Sequence, residues 1–107
     1  MKQFLIKYRV KDGLDARRRD EILAFIAAVD GDPDLRGRIT YRCMKVRDSS
    51  DYYHFVTAAD DDAVKTLQSR EFFSRYTDQT DAAAQGEVEV LPLELVADTA
   101  GPRQASQ

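Results

Sequence analysis

His54 is the single histidine of this 107-residue chain, and the only side chain whose unperturbed pKa lies near neutrality. Beside a weakly acidic hydroxyl, such a residue can act as a general base toward a phenol. In a strand as aromatic as Tyr52-Tyr53-His54-Phe55 it can equally be a packing or interface residue. Cys43 is the single cysteine, so no internal disulfide and no multi-cysteine metal site is expected. With no second histidine beside it, His54 does not read as a metal ligand either. If the strands around Cys43 and His54 pair as a hairpin, the two lie diagonally across from one another, close enough for a weak thiol–imidazole contact. No third orienting residue and no oxyanion hole accompanies the thiol, so it is not read as a nucleophile.

Five tyrosines and five phenylalanines supply the rest of the candidate chemistry. Flat apolar walls with a few hydroxyls suit a small aromatic ligand, and Tyr8, His54, Phe72 and Tyr76 are candidates for its lining. The same residues could instead form core and dimer seam. Arg9 and Arg42 could hold a carboxylate, or be surface or interface ion pairs. The run Arg17-Arg18-Arg19, bracketed by Asp12, Asp15, Asp20 and Glu21, reads as a solvated helix face. No phosphate-binding glycine loop, dinucleotide fingerprint, paired acidic metal motif or serine elbow is present in the sequence, and no cofactor is expected.

The elements that would position these groups follow from periodicity. Phe4, Ile6, Tyr8 and Val10 alternate with polar or flanking residues, the period of a strand. The turn Lys11-Asp12-Gly13 follows it. Ile22, Phe25, Ile26 and Val29 then mark one face of a helix over about 14–29. Gly31-Asp32-Pro33 ends that helix. A hairpin is expected over about 38–46 and 52–58, turning at Asp48-Ser49-Ser50-Asp51, with Arg47 opposite Tyr52. Asp60 is a natural N-cap for a second helix carrying Val64 and Leu67. Ser69 could cap a fresh turn with Phe72, Phe73 and Tyr76, breaking the helix near 68–70. The last strand is expected over about 87–96, and Pro92 assigns it to a sheet edge.

This order gives an α+β βαββαβ domain over 1–97, and its resemblance to the ferredoxin-like fold implies a four-stranded antiparallel sheet in order 4-1-3-2 with two helices on one face. Residues 98–107 read as a disordered tail. Both faces of the hairpin carry apolar or aromatic residues, whereas two helices cover only one face of the sheet. A second copy of the chain is the expected cover, giving a homodimer. A formal net charge of -3 argues against nucleic acid and anionic membrane as partners. The lack of a long apolar stretch argues against a membrane span or leader, and a reducing cytoplasm is the expected compartment.

The opening Phe4-Leu5-Ile6-Lys7-Tyr8-Arg9-Val10-Lys11-Asp12-Gly13, and the segment Asp51-Tyr52-Tyr53-His54-Phe55 leading to Ser69-Arg70-Glu71-Phe72-Phe73, resemble the dimeric α/β-barrel superfamily. Within it they resemble the antibiotic biosynthesis monooxygenase-like group, over residues 3–96. The resemblance implies a homodimer with an apolar pocket between sheet and helices. Some members use that pocket to oxygenate phenols or quinols without metal or flavin, while others degrade heme. The chain departs from the group at named positions. Val56 and Ala58 stand where many relatives carry an acidic residue and a tryptophan, and Thr66 and Glu71 where histidines are often found. The sequence has no asparagine and no tryptophan, so the Asn/Trp-dependent chemistries of heme degradation and polyketide oxygenation do not transfer. The expected function is a cofactor-independent monooxygenase acting on a small phenol or quinol, with His54 as its catalytic residue. The alternatives are a non-catalytic binder of a small aromatic ligand and a dimeric interaction module.

Overall fold

A computed structural model of the chain describes residues 1–101. Its elements are β1 (Lys2–Arg9), α1 (Asp15–Asp30), β2 (Ile39–Lys45), β3 (Asp51–Ala58), α2 (Asp61–Gln68), α3 (Glu71–Ala83) and β4 (Glu89–Leu93). The four strands form one antiparallel sheet in the order β2-β3-β1-β4, the predicted order read from the other edge. Pro92 lies in β4, an edge strand, where its missing N–H breaks no interior ladder. That strand is shorter than the expected 87–96. The part of the expected tail at 98–101 carries no helix or strand; 102–107 lie outside the described residues.

The predicted break near 68–70 is real and separates α2 from α3, so the helical layer has three pieces rather than two. Asp60 caps α2, accepting a bond from the Ala63 amide at 2.8 Å. Ser69 does not cap α3. Its hydroxyl donates back to the Thr66 carbonyl, and Arg70 takes the N-cap position. Arg70 also reaches Asp32 and Asp34 at 2.8 Å each, tying this junction to the loop after α1.

The hairpin register differs from the expected one by a single step of the loop. The loop is 47–50, not 48–51, so Lys45 rather than Arg47 stands opposite Tyr52. The reason is local. Asp48 takes a left-handed conformation (φ 60), and Ser49 folds back on Val46 through both its amide and its hydroxyl. The strand pairing thereby shifts by two residues, which preserves which face each side chain occupies. It places Cys43 directly across from His54 instead of diagonal to it.

Burial alternates along β3, with Tyr52, His54, Val56 and Ala58 inward. This inner face meets the helices in a core of Phe25, Val29, Ile39, Ala58, Leu67 and Tyr76. On the other face, Leu91, Leu5 and Phe55 align across β4, β1 and β3. Phe55, Leu91 and Leu93 each retain 40% of their surface, leaving an apolar stripe uncovered by the described residues.

Candidate functional site

Three elements converge on His54. β1 and β3 are neighbours, with Ile6 opposite His54 and Tyr8 opposite Tyr52, so Tyr8 and His54 are diagonal on the inner face. The turn through Gly13, at φ 82, brings α1 back over that face. In α3, Tyr76 and Thr80 are one turn apart and both point inward. His54 is 1% exposed. Its Nε2 lies 3.0 Å from the Tyr8 hydroxyl, and its Nδ1 lies 3.4 Å from the Tyr76 hydroxyl and 3.5 Å from Cys43 Sγ.

The residue that ties this cluster together is Arg18, which is 0% exposed. Arg17, its neighbour in the basic run, projects into solvent, and Arg19 is also exposed; the solvated-face reading fails for Arg18. Its Nε donates to the Tyr8 hydroxyl at 2.8 Å, one terminal nitrogen donates to Thr80 Oγ1 at 2.6 Å, and the other pairs with Glu21 at 3.2 Å. The guanidinium carbon also sits 4.6 Å from the Tyr76 ring centroid and 5.2 Å from that of Tyr8, within cation–π range. A signal for this was present in the sequence. Stepping back one helical turn from Ile22 along the stripe Ile22, Phe25, Val29 lands on Arg18, not on Arg17 or Arg19.

Next to this cluster is a cavity of about 400 Å³ between the sheet and the α2–α3 layer. Its walls are largely apolar, with Ile6, Ile39, Val56, Leu67 and Phe73 among them, and Tyr8, Arg18, His54 and Tyr76 supply polar groups. Of the four residues expected to line a pocket, Tyr8, His54 and Tyr76 do so. Phe72 packs against Phe25, with ring centroids 6.0 Å apart, and the adjacent Phe73 lines the cavity. Arg9 pairs with Asp51 at 3.0 Å on the outer face, and Arg42, paired across from Phe55, faces the same way. Neither reaches the cavity.

Electrostatics follow from burial. Burial first, then the Arg18 charge, holds the His54 pKa down to about 4, so the imidazole is neutral at pH 7. Burial pushes the Tyr8 hydroxyl up to about 12 against the opposing pull of Arg18, and raises Tyr76 further for the same reason. The Cys43 thiol is pushed up to about 11, again by burial, and stays protonated. Among the described residues, no group of three His, Cys, Asp or Glu side chains is placed to hold a metal. No helix there is long and apolar enough to cross a membrane.

The architecture is the ferredoxin-like α+β fold of the antibiotic biosynthesis monooxygenase-like proteins. Rv0793 from Mycobacterium tuberculosis superposes with a TM-score of 0.75 at 14% identity, over 94% of this chain and 98% of that one. SnoaB, a cofactor-independent oxygenase from Streptomyces nogalater, gives 0.75 at 15% identity, over 94% and 97% of the two chains. PA3566 from Pseudomonas aeruginosa gives 0.72 at 21% identity, over 90% and 94%. At these identities the likeness is one of fold. No family model matches the sequence, and no curated protein matches it.

Proposed function

We propose that the chain binds a small phenol or quinol in the cavity between sheet and α3 and oxygenates it without a cofactor. The carrying observation is an apolar cavity of about 400 Å³ with a buried cation, an imidazole and two tyrosine hydroxyls among its lining groups. That combination suits a flat ring with one ionisable oxygen. The fold shared with SnoaB, itself a cofactor-independent oxygenase, supports the same reading. The reaction balances without an added reductant. A phenolate supplies the electrons to dioxygen, a hydroperoxide forms at ring carbon, and loss of water leaves a quinone, so that one phenol and one O2 give one quinone and one water.

The low pKa of His54 shapes its role. Moving a proton from a phenol of pKa about 10 to an acid of pKa about 4 is uphill by roughly 8 kcal/mol. A substrate that ionises before or during entry, and is then held as its anion, avoids this cost, and the Arg18 charge favours that state. His54 acts in this reading through hydrogen bonding rather than as a strong base. The same weak basicity favours a second reading, a non-catalytic carrier of such a phenol. Oxygen uptake with a panel of quinols, matched to quinone formation, tests the first. Thermal stabilisation by the same compounds without oxygen uptake selects the second, and neither response removes both.

A second copy of the chain is the proposed cover for the outer stripe of Leu5, Phe55 and Leu91, making a homodimer that joins sheet to sheet. The exposed apolar row across three strands supports this.

A further inference from the structure

The hydrogen bonds around His54 carry a direction. The oxygen of Tyr8 accepts from Arg18 Nε at 2.8 Å, and arginine offers no acceptor in return. The hydroxyl's own proton therefore has one acceptor within reach, His54 Nε2 at 3.0 Å. Were Nε2 itself protonated, Tyr8 would accept twice and its own proton would have no protein acceptor among the described residues, a loss comparable to a whole hydrogen bond. Nε2 is thus the acceptor, and the neutral imidazole carries its proton on Nδ1. That proton points toward Tyr76 and Cys43, with the tyrosine oxygen the better acceptor. The Tyr76 hydroxyl has no other protein partner among the described hydrogen bonds. Its own proton is left for whatever fills the cavity that Tyr76 lines.

We infer that Arg18 orients a one-way chain of donors, Arg18 to Tyr8 to His54 to Tyr76, which ends in a hydroxyl donated into the cavity and selects ligands that present an anionic oxygen there. The inference rests on the cavity being the ligand site and specifies the ligand's ionisation state. In this arrangement Tyr76 is the residue that touches ligand. Arg18, Tyr8 and His54 are positioning residues. The surrounding groups are consistent with it. Tyr41 and Cys43 from β2 are held neutral by burial, and Glu21 is occupied by Arg17 and Arg18. Asp81, the carboxylate lining the cavity, is exposed to solvent, where its repulsion is screened.

Two measurements test it. In the wild-type protein at pH 7, a long-range proton–nitrogen correlation spectrum of the single histidine should show the Nδ1–H tautomer with Nε2 as acceptor; the Nε2–H tautomer overturns the inference. The second uses para-nitrophenol, whose two ionisation states differ in colour. Bound to the wild-type protein, its pKa should fall by about one unit, a tenfold preference for the phenolate. Tyr76→Phe should bind the dye but lose most of that shift. A bound pKa that is unchanged or raised overturns the inference while leaving the ligand site standing. No binding at all overturns the ligand site, and the inference with it.

Discussion

The Tyr8 hydroxyl meets Nε2 of His54 at 3.0 Å across 46 residues of sequence, and the same hydroxyl accepts from Arg18. This contact joins the first strand, the third strand and the first helix at one buried point, and most of the testable behaviour of the protein follows from it.

The first expectation concerns pH. A histidine held at about 4 in the folded chain but near 6.5 when unfolded binds fewer protons folded than unfolded between those values. Stability from this source is complete above about pH 7, falls as the pH drops through 6.5, and is gone below about 4. The loss amounts to roughly 3 kcal/mol. Urea unfolding from pH 7 to 4 should show it, and His54→Gln should flatten the slope in that window. Asp32 and Asp60, whose carboxyl pKa values are lowered mainly by the Arg70 side chain and the Ala63 amide, add their losses only below about pH 4.

Arg18→Met should be costly. It removes the charge that Glu21 answers and strips Tyr8 and Thr80 of a donor. Breaking a buried pair from one side costs about 3–5 kcal/mol. Adding Glu21→Gln should recover part of the loss, because the carboxylate, left with the exposed Arg17 alone, goes with it. Denaturant midpoints of the wild type, the single and the double variant measure both effects.

Activity separates the two roles of His54. If the protein oxygenates quinols by holding their anions, the rate should rise with pH through the substrate's own pKa rather than level off above the His54 value of about 4. His54→Ala should then reduce turnover only modestly. A loss of about 100-fold or more with binding intact would instead mark His54 as the general base.

The thiol gives an independent check on burial. With Cys43 at about 11 rather than 9, its thiolate fraction at pH 8 is about 100-fold lower than that of a free thiol. Iodoacetamide should alkylate the folded protein at least that much more slowly than the urea-unfolded chain.

The outer sheet face predicts assembly. Light scattering at micromolar concentration should give the mass of two chains. Phe55→Glu, placing a charge in the row formed with Leu5 and Leu91, should give one chain without unfolding it, since Phe55 faces away from the helices.

Much of the fold was legible in the sequence because it rests on local periodicity. The alternation of Phe4, Ile6 and Tyr8, the helical stripe through Phe25 and Val29, the capping carboxylate of Asp60 and the edge placement of Pro92 each depend on a few neighbouring residues. The strand order came from the resemblance of that sequence of elements to the ferredoxin-like fold. The candidate site was legible in part: alternation sorted the strand residues into two faces, but which face meets the helices was left open, and the choice between Phe72 and Phe73 depended on how α3 rotates once α2 has ended. The hairpin register turned on the backbone of Asp48, which composition does not specify. Arg18 lay hidden in a basic run that looked solvated. Its burial is tolerated because Tyr8, Thr80 and Glu21 answer its donors, and two of those three partners come from other elements, 10 and 62 residues away. Sequence therefore singled out His54 and the tyrosines as side chains that could do chemistry and sorted the strand residues by face. Only the tertiary structure decided which of them share protons, because the direction of a hydrogen bond is set by every donor and acceptor around it at once.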